Sequence, residues 1–598
     1  MMKLFREAYP IVSQYLNNMA GRSRRLFDTI CATTVHWGRR PAGCRGPAIV
    51  FCPVNQASLN CGLAGLITVY GQQPPAAIHD LNEIVALTQR IIATPLASCD
   101  ADASAIETCC KQGDQPLQQL MQATHRLKRQ DHFLSIFNDP FFQEQLKDLH
   151  ERIEAFIGRE SDTLTQAMGH LPAEIVEIVD HRIENLKDIA WSLNTEITEN
   201  IAKVRSLLPA DQMQATRDVV KIYRNINTVL NSIDRLEVRG RDSAGISLLF
   251  LLESAAFKEF RHSIDAAHLS EEFTQRASQK VLGDGSINVS EDTRAGNIGI
   301  AVTYKVAAEI GSLGDNVRGL RTRISSDRIL QMLAQRPHRF HTISAHTRWA
   351  SVGAITIANC HPVDNATRAS ADNRIGTIHA CLNGDIDNYQ ELKDQFESRG
   401  GSIPHEITTD TKIIPLQIEK HLHEVQDVAE AFRLAVNDFE GSHAIAMHTD
   451  LAPGKFFLAQ KGSGQAIFVG LADDHYIPTS EVYGFVEETP NYLKLNGEKV
   501  VEGKNGPTQG QIFVLDQNSA GGLEGIRAFY YDGTPIQLTP GEIQHTEISS
   551  RDIDRQDYPH YFLKEISEAP RSVARTLQNR WKIDTASGHY RIALNEAA

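Results

Sequence analysis

The sequence predicts an α+β chain, a layered core of short strands and helices that carries a long helical insertion. Two observations lead there. Strand-like apolar runs recur from Leu66 to Leu515, with helical stretches grouped between them. Between Val179 and Leu207, apolar residues also repeat every seven positions: Val179, Leu186, Leu193 and Leu207, with Asn200 in the same register. Ile183, Ala190, Ile197 and Val204 interleave with them, which is a heptad pattern.

Taken in order, residues 66–70 read as a short buried strand that follows a turn at Cys61-Gly62. A helical region then runs over roughly 112–236. Pro209 breaks its clearest part, and Asp211 is the expected cap of the next helix. That helix shows Val219, Tyr223, Ile226, Leu230 and Ile233 at helical spacing. Two apolar stripes joined by a short turn are expected to pack as an antiparallel hairpin. A homodimer formed through a coiled coil, with Asn200 setting its register, is the competing expectation. Beyond Leu236 the pattern is mixed. Residues 245–252 and 299–306 read as strands, 271–297 as a surface loop or short helix, and 326–333 as a helix. Further strands are expected at 342–345, 376–381, 444–448, 455–458, 467–471 and 510–515, with helices at 388–397 and 412–421.

The chain has 598 residues, 41% hydrophobic and 22% charged, which is ordinary globular composition. A formal net charge of −14 argues against a nucleic-acid partner. The acidity lies beyond residue 60, because residues 1–60 carry eight basic side chains against Glu7 and Asp28. This first stretch reads as a leader, a propeptide or a mis-assigned start that is absent from the working protein. Nine cysteines without a Cys-x-x-Cys pair argue for a reduced cytoplasm and against a disulfide scaffold. The spacing of Cys44, Cys52 and Cys61 fits no familiar zinc site, so no metal and no cofactor are predicted. The longest apolar run, 248–252, is far too short to cross a bilayer, and no secretory signal follows the early basic residues, so no membrane partner is expected.

The chemistry sits in short motifs spread along the chain. They are Cys61-Gly62-Leu63-Ala64-Gly65, Arg235-Leu236-Glu237-Val238-Arg239-Gly240-Arg241-Asp242-Ser243-Ala244-Gly245 and His346-Thr347-Arg348-Trp349-Ala350. Asn359-Cys360-His361-Pro362, Leu382-Asn383-Gly384-Asp385, Thr409-Asp410-Thr411 and Gly441-Ser442-His443-Ala444 follow. Taken singly, each has an ordinary reading. A cysteine beside glycine is usually structural. Arg348 and Trp349 fit a surface cation–π pair, Asn383-Gly384 a hairpin turn, Asp410 a helix cap and His361 a structural histidine.

In this order the motifs resemble the class II glutamine amidotransferases, and among them the glutaminase half of the glucosamine-6-phosphate synthases. The stretch Tyr558-Pro559-His560-Tyr561-Phe562-Leu563-Lys564-Glu565-Ile566 is similar to the segment that enters that family's sugar-phosphate isomerase half. The resemblance implies an N-terminal-nucleophile hydrolase, a four-layer αββα sandwich, with the helical hairpin as an insertion over about 75–234 and a second insertion over about 255–300. The glutaminase domain would span 61–540, and 541–598 would be a linker and the start of a truncated isomerase domain. The roughly 40 residues after Asp557 are fewer than such a domain needs to fold alone, so the ammonia-accepting half would come from a missing C-terminal part or a separate chain.

The implied site follows residue by residue. Cys61 is the nucleophile. As a first residue its own α-amine, titrating at about 7.7–8.0, would serve as base without a histidine. Asn383 and the Gly384 backbone N–H would hold the oxyanion. Arg239 would sit beside Cys61 and help hold it. Arg348 suits the glutamine carboxylate and Asp410 its ammonium, with Trp349, Ser351, His361 and Thr409 in the substrate site. Where that family has Thr-His after Arg-Trp-Ala, this chain has Ser351-Val352, which keeps one hydroxyl and loses a polar group. The expected function is release of ammonia from glutamine, passed in the family to fructose 6-phosphate to give glucosamine 6-phosphate. The alternatives are a glutaminase serving another acceptor and a silent module that binds a partner through its coiled-coil arm.

Overall fold

The computed structural model describes residues 61–70, 80–99, 102–167, 171–209, 215–279, 281–292, 296–308, 312–367, 375–556, 558–577, 581–583 and 590–592. The leader at 1–60, the Asn60–Cys61 junction and the Asp211 cap lie outside them.

Two antiparallel sheets form the centre. The first comprises β1 (Gly62–Thr68), β2 (Ser243–Glu253), β3 (Ser286–Asp292), β4 (Asn297–Ala307) and β5 (Phe340–Arg348), with four later strands. The second holds β6 (Val363–Asp364), β7 (Ile378–Gly384), β8 (His443–Thr449) and β9 (Lys455–Lys461). The later strands of the first sheet are β10 (Phe468–Leu471), β11 (His475–Thr479), β12 (Asn491–Lys494) and, after a hairpin of β13 (Val500–Gly503) and β14 (Gly506–Gln509), β18 (Gln544–His545). β15 (Gln511–Asp516), β16 (Ile526–Tyr530) and β17 (Pro535–Ile536) complete the second. The orders are β18-β12-β10-β11-β1-β5-β2-β4-β3 and β17-β16-β15-β9-β8-β7-β6, so β1 is central in its sheet.

Strand alternation stacks the two sheets. Leu63 and Ile67 of β1 turn toward Phe456, Leu458 and Phe513 of the second sheet. Ala64 and Leu66 turn the other way, into the helical layer. Helices Tyr389–Ser398, Ile413–Leu422 and Val428–Asn437 cover the outer face of the second sheet through Ile414, Ile418, Phe432 and Val436. The result is four layers, helix–sheet–sheet–helix. Every strand expected from the sequence lies in one of these sheets. The region 271–297 differs from expectation: it forms helix Ser270–Ala277 and then β3, an edge strand paired with β4 whose Asn288 and Ser290 donate to Asp364 and Asp450 on the side of the second sheet.

The helical region expected as an insertion is larger than a hairpin. In chain order it holds α1 (Asp80–Ile92), α2 (Ala103–Leu127), α3 (Gln130–Phe137), α4 (Pro140–Ala167), α5 (Ala173–Trp191), a π-helical stretch Ser192–Glu199, α6 (Asn200–Leu207) and α7 (Arg217–Leu236). The heptad segment packs chiefly against α2 and α4, whereas α7 lies on β1 and β5. A simple two-helix hairpin is not confirmed: α6 meets α7, but α7 is apolar on more than one side. Val220, Ile222, Tyr223, Ile226, Val229, Leu230 and Ile233 are all completely buried, more than a two-helix seam requires. Thr216 caps α7 by accepting from Val219 N. The heptad stripe is consumed within the chain, since Val179, Leu193, Ile197, Val204 and Leu207 are each 0% exposed. Among the described residues this stripe is covered, and a homodimer through it is not confirmed. Asn200 has a different task. Its amide donates to Glu196 O at 2.8 Å and to Glu487, and it accepts from Asn227 at 3.0 Å and Asn231 at 2.8 Å.

Candidate active site

The site forms where strand ends from both sheets meet. β1 and β5 are antiparallel with Gly62 opposite Thr347, and β2 and β5 place Ser243 opposite Arg348. In the facing sheet Gly384 ends β7 opposite His443. One end of the sandwich therefore collects Cys61, Arg348 and Asn383, which lie hundreds of residues apart in sequence. Two glycines permit this closeness. A Cβ on Gly62 would lie 2.4 Å from Thr347 Oγ1 and 2.6 Å from Leu236 Cβ. Gly384 has φ +91° and a Cβ there would meet Ser442 O at 2.1 Å, so neither the space nor the backbone admits a side chain.

Cys61 is half-buried. Its Sγ accepts from Trp349 N at 3.2 Å and faces Trp349 O at 3.4 Å. Burial pushes the thiol up to about 11; the Trp349 N–H and the Arg348 charge pull the other way, and Asp385 and Asp410 raise it further. With Cys61 in internal peptide linkage, the thiol stays protonated near neutral pH. Asn383 Nδ2 donates to Cys61 O at 2.9 Å, and its Oδ1 meets His346 Nε2 at 2.9 Å. Ser480 Oγ, accepting from Leu63 N at 3.1 Å, fixes the start of β1 from the other side.

Arg348 is only 3% exposed and Asp410 only 4%. Arg348 donates to Ala354 O at 3.2 Å and to Val352 O, so its guanidinium holds the loop that follows it. Asp410 starts a short 3-10 turn, and its Oδ2 accepts from Ile386 N at 2.9 Å. Burial raises its pKa to about 6, with backbone bonds from Ile386 and Thr411 opposing and Asp385 adding to the rise. Trp349 is half-buried, and Ser351 Oγ donates to Asp385 Oδ1 at 2.8 Å. His361 meets Thr411 Oγ1 at 2.8 Å and Thr409 Oγ1 at 3.3 Å, and its burial lowers its pKa far below the usual value. It is a fixed, neutral ring beside Asp410, which suits support rather than proton transfer.

Arg239 stands apart from this group. Its guanidinium pairs with Glu481 at 2.6 Å, next to Ser480 in sequence. Its connection to Cys61 therefore runs through the 480–481 turn. Three supporting residues carried no functional signal in the sequence. Asn359 Oδ1 accepts from Thr408 N at 2.7 Å and Thr409 N at 3.1 Å, while its amide donates to Ala354 O at 3.0 Å, tying the Arg348 loop to the Asp410 turn. Asp242 accepts from Ala350 N at 2.8 Å. Asn359 and Asp242 stand inside motifs that drew attention for other residues. Ser480 has no local signal at all, since the pairing of β1 with β11 is what brings its hydroxyl to Leu63 N and, at 3.5 Å, to Cys61 O.

Comparison with known proteins points the same way. The sequence is 30% identical over 237 residues to a glutamine–fructose-6-phosphate aminotransferase (isomerizing) of Streptomyces coelicolor, covering 39% of this chain and 33% of that one. It is 30% identical over 233 residues to the enzyme of that name from Methanothermobacter thermautotrophicus, covering 39% and 34%. About 240 residues of this chain are homologous to the glutamine–fructose-6-phosphate aminotransferases. A third relative of that name, from Sulfurisphaera tokodaii, is 25% identical over 279 residues, covering 46% and 42%. The chain thus spans about a third of the length of the first two relatives. No family profile matches it. Among solved structures, an allosteric regulatory enzyme of purine biosynthesis is 16% identical with a TM-score of 0.30, covering 51% of this chain and 46% of that one. A glutamine phosphoribosylpyrophosphate amidotransferase from B. subtilis is 16% identical with a TM-score of 0.26, covering 48% and 49%.

Proposed function

We propose that this protein is a glutamine amidotransferase that releases ammonia from glutamine through Cys61 once Cys61 is the first residue of the chain. One observation carries this reading. The Asn383 amide is held over the Cys61 residue, whose thiol lies on the Trp349 N–H and within the fields of a buried cation and a buried anion, Arg348 and Asp410. A free amino acid has the matching charges. Its carboxylate pairs with Arg348 and its ammonium with Asp410, which leaves the side-chain amide at the sulfur.

The α-amine of Cys61 takes the thiol proton, and sulfur attacks the amide carbon. The second Asn383 hydrogen and the Gly384 N–H stabilise the oxyanion. The C–N bond then breaks, the amine proton leaves with ammonia, and water cleaves the thioester to give glutamate. The Arg348 loop exchanges its Val352 and Ala354 carbonyls for the substrate carboxylate, with Trp349 and Ser351 carried on the same loop. Thr409 and His361 hold Asp410 in place. Arg239 braces the 480–481 turn beneath Cys61.

The relatives' name supplies the proposed acceptor, fructose 6-phosphate, aminated by an isomerase domain or chain beyond the segment matched here. Residues 61–540 are then the glutaminase unit, 541–598 the link toward that acceptor, and 1–60 a leader that is removed, in the cytoplasm. The test is direct. A chain beginning at Cys61 should release ammonia and glutamate in equal amounts from glutamine, and Cys61→Ala should abolish release while leaving the fold intact. Activity retained in Cys61→Ala removes Cys61 from the chemistry.

A further inference from the structure

The interior between the sheets is partly polar. On β5, Ile343 and Ala345 face the helical layer, while Thr342, Ser344 and His346 face the second sheet. Thr342 and Ser344 meet His448 at 3.1 and 3.4 Å. His346 stands at the site end of this column. It is 0% exposed, between Leu63 of β1 and Gly245 of β2, and reaches across to β7. A side chain buried this deeply is expected to be apolar unless its polar atoms are used.

We propose, resting on the glutaminase reading above, that His346 is the positioning residue that fixes the Asn383 amide in its donor orientation. The geometry leaves one assignment. The Asn383 nitrogen must face Cys61 O, because a carbonyl only accepts, and that contact is 2.9 Å. The Asn383 oxygen then faces His346 Nε2 at 2.9 Å, so Nε2 carries the hydrogen and donates. A flipped amide would set its nitrogen against that N–H and its oxygen against the carbonyl, two repulsive contacts at once. Burial lowers the pKa of His346 to about 4 against the opposing bond to Asn383, so the ring stays neutral during turnover. Its other face is braced by His361, with ring centroids 4.5 Å apart. His361 in turn bonds Thr411 and Thr409 beside Asp410. One buried chain thereby sets the oxyanion donor and the ammonium receptor together.

The experiment is glutaminase kinetics on the chain beginning at Cys61, with His346→Leu, His346→Gln and His346→Asn, alone and combined with Asn383→Ala. His346→Leu should lower kcat about 10- to 100-fold, with KM changed less than about twofold, because a mis-aimed donor costs up to what a missing one does. Glutamine carries its amide N–H about where the ring Nε2–H stood, so His346→Gln should restore kcat to within about threefold. The shorter asparagine should not. In the Asn383→Ala background, His346→Leu should cost nothing further, since its target is gone. Equal kcat for His346→Gln and His346→Asn, or a full additional loss in the Asn383→Ala background, overturns the positioning role while the glutaminase reading stands. The glutamine and asparagine variants keep the comparison decisive if the leucine variant does not fold. No ammonia from the unsubstituted chain sinks the glutaminase reading, and this inference with it.

Discussion

Asp410 shows how a single residue sets a measurable property. Its pKa of about 6 means that the empty site is protonated in mild acid, whereas on the proposed function glutamine's ammonium pairs with the carboxylate. Protonation thus competes with substrate. KM should rise by up to about tenfold for each pH unit below 6 and level off above it, as a single group with that pKa requires. Asp410→Asn should raise KM and remove that pH dependence; a KM flat from pH 5 to 7 in the unsubstituted chain would exclude Asp410 as the ammonium receptor. Gly384 sets the other limit. Gly384→Ala forces a Cβ onto Ser442 O in a left-handed backbone, so the Gly384 N–H should swing away from the oxyanion. The expected loss is about 100-fold or more in kcat, read in the same ammonia assay. These residues stood out in the sequence because their chemistry is local to a motif. Their supports did not. Ser480 and His346 make contacts that depend on strand pairing and the distance between sheets, which no window of sequence contains.

At the scale of elements, short apolar runs identified the strands because a strand buried on both faces must be apolar or internally paired. The heptad stripe identified a helix correctly but not its partner. An apolar stripe states that a face is buried, not against what. Here α7 lies chiefly on the sheet and the heptad segment chiefly on α2 and α4, with the two meeting at α6. The same packing left polar residues at the seam between insertion and sandwich. Glu487 accepts from Asn200 and Asn231 and pairs with Arg235, while Arg321 bonds Asn227 at 2.9 Å and Asn231 at 2.7 Å. Glu487→Ala leaves the Arg235 charge without its partner and should destabilise the fold by about 3 kcal/mol, read by urea unfolding. A loss under about 0.5 kcal/mol would show that the seam contributes little. Arg235 stands one residue before the end of α7 and shortly before the Asp242 that holds Ala350, so this seam and the site share one connection.

At the scale of the whole molecule, the helical region has a buried apolar interior, and among the described residues its side chains lie outside the group of Cys61, Arg348 and Asp410. It extends the helical layer over the first sheet, and segment Ser550–Ile553 packs back onto it through Arg551, which pairs with Glu184 at 2.8 Å and Asp188 at 2.7 Å. Among the described residues, the site is built from strand ends and turns of the sandwich. On the proposed function, its chemistry depends on one covalent fact, whether Cys61 bears a free amine. With Cys61 in internal linkage, a thiol at about 11 should resist iodoacetamide at pH 7.5; with the amine freed, alkylation should be at least about tenfold faster. The most direct measurement compares ammonia release from glutamine by two preparations, one beginning at Cys61 and one retaining Asn60, with each first residue verified by intact mass. The account predicts turnover from the first and none from the second. Equal turnover from both, or none from a folded chain that begins at Cys61, would contradict it.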